Sequence, residues 1–289
     1  DDVESRGLGD VYKRQIMDKW PDAVMHYPTY MALSFHNKNR LKDVSIRWYQ
    51  SGTYPLQSLN YTYNELISAE KDALIFTDAN WTLFASYLLQ YGKGLFNDKK
   101  VIFSALMLTP FSMNELTEEL GIPEFKDADP EFYKSKTPTM TFANEMKKRI
   151  EHIAKYTKRP IYISVSTNEA VKNLLKDHLY GEGLLMRYSS KPYDNLAVMR
   201  RNFENTYLLD YLYETFYPET LTDVCLDLKG VKMLSIYYVP AFKSLLQFYK
   251  ESGDVTHYDK LYSLLESIVK KADYYSDEVR ERYLKSINF

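Results

Sequence analysis

The sequence predicts an α/β fold, a mostly parallel sheet with flanking helices, followed by a C-terminal region that is helical throughout. Three observations predict it. Short apolar runs of strand length recur between Asp72 and Tyr188, amphipathic helical segments separate them, and after Lys191-Pro192 only helical periodicity remains. At 289 residues the chain is long enough for two cores. The expected organisation is a tail over 1–15, an entry segment over 16–55, an α/β domain over 56–190 and a helical domain over 191–289.

From Ile16 to Tyr54 the pattern is irregular, with Pro21, Pro28 and Pro55 as breakers and a polar stretch HNKNR at 36–40. Ser58-Leu59-Asn60 can start a helix in which Leu59, Tyr63, Leu66 and Ile67 form the apolar face. DALIFT (72–77) reads as the first strand, and a helix follows through Trp81, Phe84, Leu88 and Leu89, ended by Gly92 and Gly94. VIFSALML (101–108) reads as the second strand, and a short helix runs from Ser112 to Gly121-Ile122-Pro123. After a Pro-, Asp- and Lys-rich loop over 123–138, TFANEMKKRIEHIAKY places Phe142, Met146, Ile150 and Ile153 on one helix face. PIYISV (160–165) is a third strand, Asn168 to Tyr180 a helix, and GLLMRY (183–188) a fourth strand. VPAFKSLLQFYKESGD and VTHYDKLYSLLESIVKKAD predict two helices joined at Gly253-Asp254, with a third from Asp277. This hairpin resembles a single tetratricopeptide-type repeat, without a second copy at that period.

Composition excludes several classes. With 45% hydrophobic and 26% charged residues and a formal net charge of −2, the chain is neither a disordered tail nor a basic nucleic-acid binder. The 27 Tyr and 14 Phe against 10 Gly supply large amphipathic side chains for cores and contact surfaces. Cys225 stands alone, which excludes a disulfide framework or a Cys-rich zinc site. The longest apolar stretch, Val24 to Phe35, is short of the roughly 20 residues of a membrane span and is broken by His26 and Pro28.

Residues Ser5 to Gln15, SRGLGDVYKRQ, put two glycines before Lys13 and Arg14, but no strand precedes them and no Ser or Thr follows the lysine, as a phosphate loop requires. The string instead resembles the translation of a transposon-type sequencing-library adapter. On that reading residues 1–15 are an artefactual tail and natural sequence starts at Ile16.

In an open parallel sheet the ligand crevice lies beyond the carboxyl ends of the strands. The first such end is Thr77-Asp78-Ala79-Asn80-Trp81-Thr82. Asp78, Asn80 and Thr82 are candidate ligand contacts there and Trp81 a stacking platform. The competing reading makes Asp78 or Asn80 an N-cap and Trp81 core packing. His36, beside Arg40, is the one histidine in a polar cluster with another donor, and Glu182 and Arg187 flank the last strand and can pair. The five histidines form no H-x-x-x-H or H-E-x-x-H, and G-x-S-x-G is absent. No catalytic residue, metal ligand or cofactor is therefore assigned.

Several segments together carry a resemblance: HNKNR, YNELISAEKDALIFTDANWT, KRPIYISV, LKDHLYGEGLLMRY and the late helical hairpin. Their order is similar to that in a bacterial family of many-spanning membrane proteins related to eukaryotic transmembrane protein O-mannosyltransferases. The resemblance covers about Ser34 to Ala272. It places His36 on the histidine of a His-Asp-Arg-Ser-like stretch, and Asn80 and Thr82 on the Asn and final Thr of a Gly-Asp-Asn-Asp-Thr turn whose aspartates are here Ala79 and Trp81. Arg159-Pro160-Ile161-Tyr162 and Glu182-Gly183-Leu184 with Arg187 also match. It implies a noncatalytic, extracytoplasmic (periplasmic) C-terminal region of a glycosyltransferase-like membrane protein, contacting a protein or glycan acceptor. The parent would be membrane-embedded through an N-terminal half, carrying the catalytic acid and lipid-sugar site, that precedes this sequence. Two alternatives stay open: a stand-alone soluble α/β enzyme or nucleotide or sugar-phosphate binder using Asp78 to Thr82, and a helical scaffold that binds protein through residues 239–272.

Overall fold

The structure, a computed structural model, describes residues 35–128, 139–213, 233–272 and 275–287, with Tyr27, Met31, Ala32 and Phe132. The 1–15 tail, His26 and Cys225 lie outside the described residues. Five strands, β1 (Leu74–Thr77), β2 (Lys100–Phe103), β3 (Ile161–Ser164), β4 (Leu179–Gly181) and β5 (Leu185–Tyr188), form one sheet in the order β2-β1-β3-β5-β4. β1 pairs in parallel with β2 and β3, whereas β3–β5 and β5–β4 are antiparallel. The sheet is thus mixed rather than mostly parallel. A parallel neighbour needs a long crossover, but residues 182–184 are only enough to turn the chain back as a hairpin. Gly183 makes that turn at φ +124°, a conformation side chains rarely adopt, and the Tyr207 hydroxyl packs where a Cβ would stand.

Two elements end sooner than their sequences predict. The helix expected over Asn168–Tyr180 stops as α7 (Glu169–Leu175) and one 3₁₀ turn, and Leu179–Gly181 joins the sheet. The strand expected over 101–108 stops at Phe103, where Ser104 Oγ donates to the Thr77 carbonyl at 3.2 Å and α4 (Ser104–Met107) begins. The region expected to be an irregular entry segment contains α1 (Lys38–Ser51). Asn37 Oδ1 accepts from the Arg40 N–H and Gly52 closes the helix in the left-handed region, so both caps are local. α1 buries Leu41, Val44 and Trp48, and the Trp48 ring packs edge-on against Tyr54 at 4.9 Å.

The sheet separates two apolar layers. On one face Leu74, Phe76, Ile161 and Ile163 meet Met113 and Leu116 of α5 (Pro110–Leu120) and Met146, Ile150 and Ile153 of α6 (Thr139–Tyr156). On the other, Ile75, Tyr162 and Leu185 meet Leu66 of α2 (Leu56–Ser68) and Leu83 of α3 (Asn80–Tyr87), which continues as a π turn to Gly92. The alternation of faces along each strand puts Thr77 and Ser164 on the α2 side.

α6 is anchored by a buried ion pair. Arg149, 1% exposed, donates to the Glu145 carboxylate and, through Nε, to the Met107 carbonyl at 2.9 Å, with its guanidinium over the Phe125 ring. Burial alone would raise the Glu145 carboxyl, but Lys148 and Arg149 outweigh it and hold it below the usual range. Losing Glu145 would strand the buried Arg149 charge, a cost on the order of 3–5 kcal/mol.

The remaining helices are α8 (Asn195–Arg201), α9 (Val239–Ser252), α10 (Val255–Lys271) and α11 (Asp277–Ile287). The expected hairpin turn is present: Gly253 is left-handed, and Asp254 caps α10 by accepting from the His257 N–H at 3.1 Å. Leu245, Leu246 and Tyr249 pack with Leu261, Leu265 and Ile268. The same cluster takes in Tyr61 and Leu184, with Trp81 and Val165 against it, so the helical region packs on the carboxyl-terminal end of the sheet.

Candidate functional site

α2 buries a polar stripe beside the apolar face formed by Leu59, Tyr63 and Leu66. Ile67 is 36% exposed, and the buried positions include Ser58, Tyr61, Thr62, Asn64 and Glu65. Positions 58, 61, 62 and 65 form one helical stripe, which packs toward α3 and the helical region. Asn64 is fully satisfied: Nδ2 donates to the Leu208 carbonyl and the Tyr238 hydroxyl, and Oδ1 accepts from the Leu208 N–H. Its neighbours are not. Ser58 Oγ, Tyr61 OH, Thr62 Oγ1, Glu65 Oε2, Trp81 Nε1, Thr82 Oγ1 and Asp78 Oδ1 are buried without a hydrogen-bond partner. These atoms lie along the seam of α2, α3 and the turn between β1 and α3.

The seam lies at the topological switch point. The connection leaving β1 leads to β2 on one side, while the chain leaving β3 leads to β4 and β5 on the other. At the carboxyl ends of these two strands, Ser164 Oγ lies 2.5 Å from Glu65 Oε1 and 2.8 Å from Ser166 Oγ, and accepts from the Ser166 N–H at 3.2 Å. Ser166 Oγ is 3.5 Å from Thr77 Oγ1, which accepts from the Ala79 N–H. Asp78 Oδ2 accepts from the Asn168 N–H at 2.7 Å, fastening the β1 turn to the start of α7. Above these groups opens a crevice of about 380 Å³, lined by Asp78, Phe103, Ala105, Phe142, Ser166 and Asn168.

Glu65 is the electrostatic centre of the seam. It is 1% exposed and has no cation among its described partners, so burial pushes its carboxyl up to about 8, opposed only by hydrogen bonding from Ser164 and Tyr61. The Tyr61 hydroxyl faces the carboxyl from the same helix. Tyr207, Tyr211 and Tyr237 approach from the helical region; burial raises each phenol first, and the nearby carboxyl raises it further.

The structure separates the residues that sequence grouped. Asp78 lines the crevice. Asn80 is exposed and does not line it; Thr82 is buried beneath it. Trp81 packs on the helical core, with its carbonyl accepting from the Tyr54 hydroxyl, and is no open stacking platform. Neither Asp78 nor Asn80 caps α3, whose N-cap is Ala79. Arg187 pairs with Glu70 rather than Glu182, because the end of α2 lies over its face of β5, while Glu182 Oε1 instead accepts from the Tyr193 hydroxyl. His36 pairs with Glu115 at 2.8 Å and lines a separate groove along the outer edge of β2; Arg40 lines neither. That groove, about 970 Å³, carries charges of both signs, and its Lys100–Glu119 and Lys99–Asp98 pairs satisfy one another. Sequence reasoning missed Glu65, Ser164, Ser166 and Asn168. The signal was present in the run Ser164-Val165-Ser166-Thr167-Asn168 directly after a buried strand.

Among the described residues no cluster of His, Cys, Asp and Glu could hold a metal, and no helix is long and apolar enough to cross a membrane. Comparison with protein-family models, curated proteins and solved structures gives no match.

The raised Glu65 carboxyl carries a signed consequence for stability. Between about pH 4.5 and pH 8 the unfolded chain ionises this group while the folded protein keeps its proton, so its contribution falls as pH rises through that window and levels off above it. Glu65→Gln is expected to flatten this slope and to be more stable than the wild type at pH 9 by a few kcal/mol on an order-of-magnitude reckoning. Urea denaturation at pH 4, 6 and 9 measures it; equal slopes in both proteins would contradict the assignment.

Proposed function

We propose that this chain is a noncatalytic binding region that holds a neutral, hydroxyl-rich ligand, a glycan or glycosylated acceptor, in the crevice at the carboxyl ends of β1 and β3. The observation that carries the reading is the crevice's lining. Asp78, one oxygen of which is held by a backbone N–H, lines the crevice together with Ser166, Asn168 and two phenylalanines. Apolar walls with a few converging polar groups suit a sugar ring, which offers C–H faces and hydroxyls at once. A phosphate fits poorly, because the six lining residues include a carboxylate and neither Lys nor Arg.

The family resemblance supports the same reading. In a glycosyltransferase-like membrane protein of that kind, the chemistry would belong to the membrane half. This extracytoplasmic region, with its tetratricopeptide-like hairpin, would engage the acceptor or a partner protein.

Calorimetric titration with methyl glycosides, inorganic phosphate and nucleotides tests the ligand class. The expected result is saturable binding of a glycoside, weakened about tenfold or more by Asp78→Ala and by Ser166→Ala and unchanged by Asp98→Ala. Saturable nucleotide binding that Asp78→Ala abolishes would overturn the reading in favour of a nucleotide site. The membrane part has its own test: the coding sequence upstream of Ile16 is expected to encode a run of apolar spans, and their absence contradicts it.

A further inference from the structure

We infer that Glu65, which does not line the crevice, is the residue that sets its hydrogen-bonding specificity, by deciding through Ser164 whether Ser166 offers the ligand a hydrogen or a lone pair. The inference rests on the crevice being the ligand site. A serine hydroxyl has one hydrogen and two acceptor positions. One acceptor position of Ser164 is taken by the Ser166 N–H. Two contacts remain, Glu65 Oε1 at 2.5 Å and Ser166 Oγ at 2.8 Å, and with one hydrogen and one acceptor position left they cannot both run the same way.

A Glu65 proton on Oε2 would leave Ser164 donating to Oε1 as the ionised group does, so we place the proton on Oε1, and two arrangements then differ. When Glu65 is ionised it can only accept, so Ser164 donates to it and accepts from the Ser166 hydroxyl. Ser166 then turns only lone pairs to the crevice. When Glu65 carries a proton on Oε1 it donates to Ser164, Ser164 donates to Ser166, and the Ser166 hydrogen is free to meet a ligand. Among the described residues Thr77 Oγ1 competes for that hydrogen from 3.5 Å, at the outer edge of hydrogen-bond range. Asp78 Oδ2 accepts the Asn168 N–H in both arrangements. Ser166 therefore offers the crevice a donor in one state and only lone pairs in the other.

The groups facing Glu65 leave it free to switch. Ser164 comes from β3, Tyr61 from its own helix, and Tyr207, Tyr211 and Tyr237 from the helical region; all carry hydroxyls and none a fixed positive charge. The carboxyl's raised position, about 8, puts the change within an accessible range.

The arrangement is read first without ligand. In ¹³C-labelled protein the Ser164 and Ser166 Cβ shifts are expected to follow the Glu65 carboxyl through a common midpoint, and in Glu65→Gln the two serine shifts should be flat. Serine shifts that ignore the Glu65 titration overturn the inference, whatever the ligand proves to be. The second reading compares methyl glycosides with deoxyfluoro counterparts, which accept but cannot donate at the altered position. Preference for the hydroxyl form is expected to rise about fivefold to tenfold between pH 7 and pH 9, and to become independent of pH in Glu65→Gln and Ser164→Ala. A preference that still moves with pH in Ser164→Ala also overturns it. If the serine shifts follow Glu65 but no glycoside binds, the relay stands and the sugar reading of the crevice fails.

Discussion

A carboxyl group sealed from water must give up its charge, find a cation or gather hydrogen bonds. Glu65, on the buried polar stripe of α2, relies on the first and the last. Its contact with Ser164 joins α2 to the end of β3, and three tyrosines of the helical region close over the other side. Asn64, one residue earlier, spends its whole amide on Leu208 and Tyr238. Two adjacent side chains thus position the sheet and the helices against each other. The crevice exists where that seam meets the diverging ends of β1 and β3.

Placing the seam at a switch point has a further effect. In many open sheets the carboxyl ends face solvent, but here Tyr61, Trp81, Val165 and Leu184 bury them under the helical core. What stays open is the side toward Phe103 and Phe142. The polar atoms behind this opening are buried rather than solvated, so each is more costly to leave unpaired and more discriminating toward whatever pairs it. The ion pair of Arg149 and Glu145 holds α6, and with it Phe142, on the opposite wall.

Much of the fold was legible because burial and periodicity agreed. LIFT and IYIS are continuous apolar runs, α6 repeats Met146, Ile150 and Ile153, and Gly253-Asp254 announces both a left-handed stop and a new cap. β4 was hidden because three residues, Leu-Tyr-Gly, give no alternation to detect. α1 was hidden because its mean composition is polar and its apolar face is short, Leu41, Val44 and Trp48. α2 was legible only in part, because the burial of Ser58, Tyr61, Thr62 and Glu65 depends on α3 and on the helical region packing over them. The site divides the same way: Asp78 was visible at the end of a strand, whereas Glu65 could be found only once the partners of its helix were known.

The central claim is that the crevice between β1 and β3 receives a hydroxyl-rich ligand on Asp78 and Ser166. A crystal structure of the protein soaked with the tightest-binding methyl glycoside tests it most directly. The account predicts a ring against Phe103 and Phe142, with hydroxyls within hydrogen-bond distance of the Asp78 carboxylate and Ser166 Oγ. A ring seated instead in the groove along β2, or a crevice already closed by side chains, would contradict it.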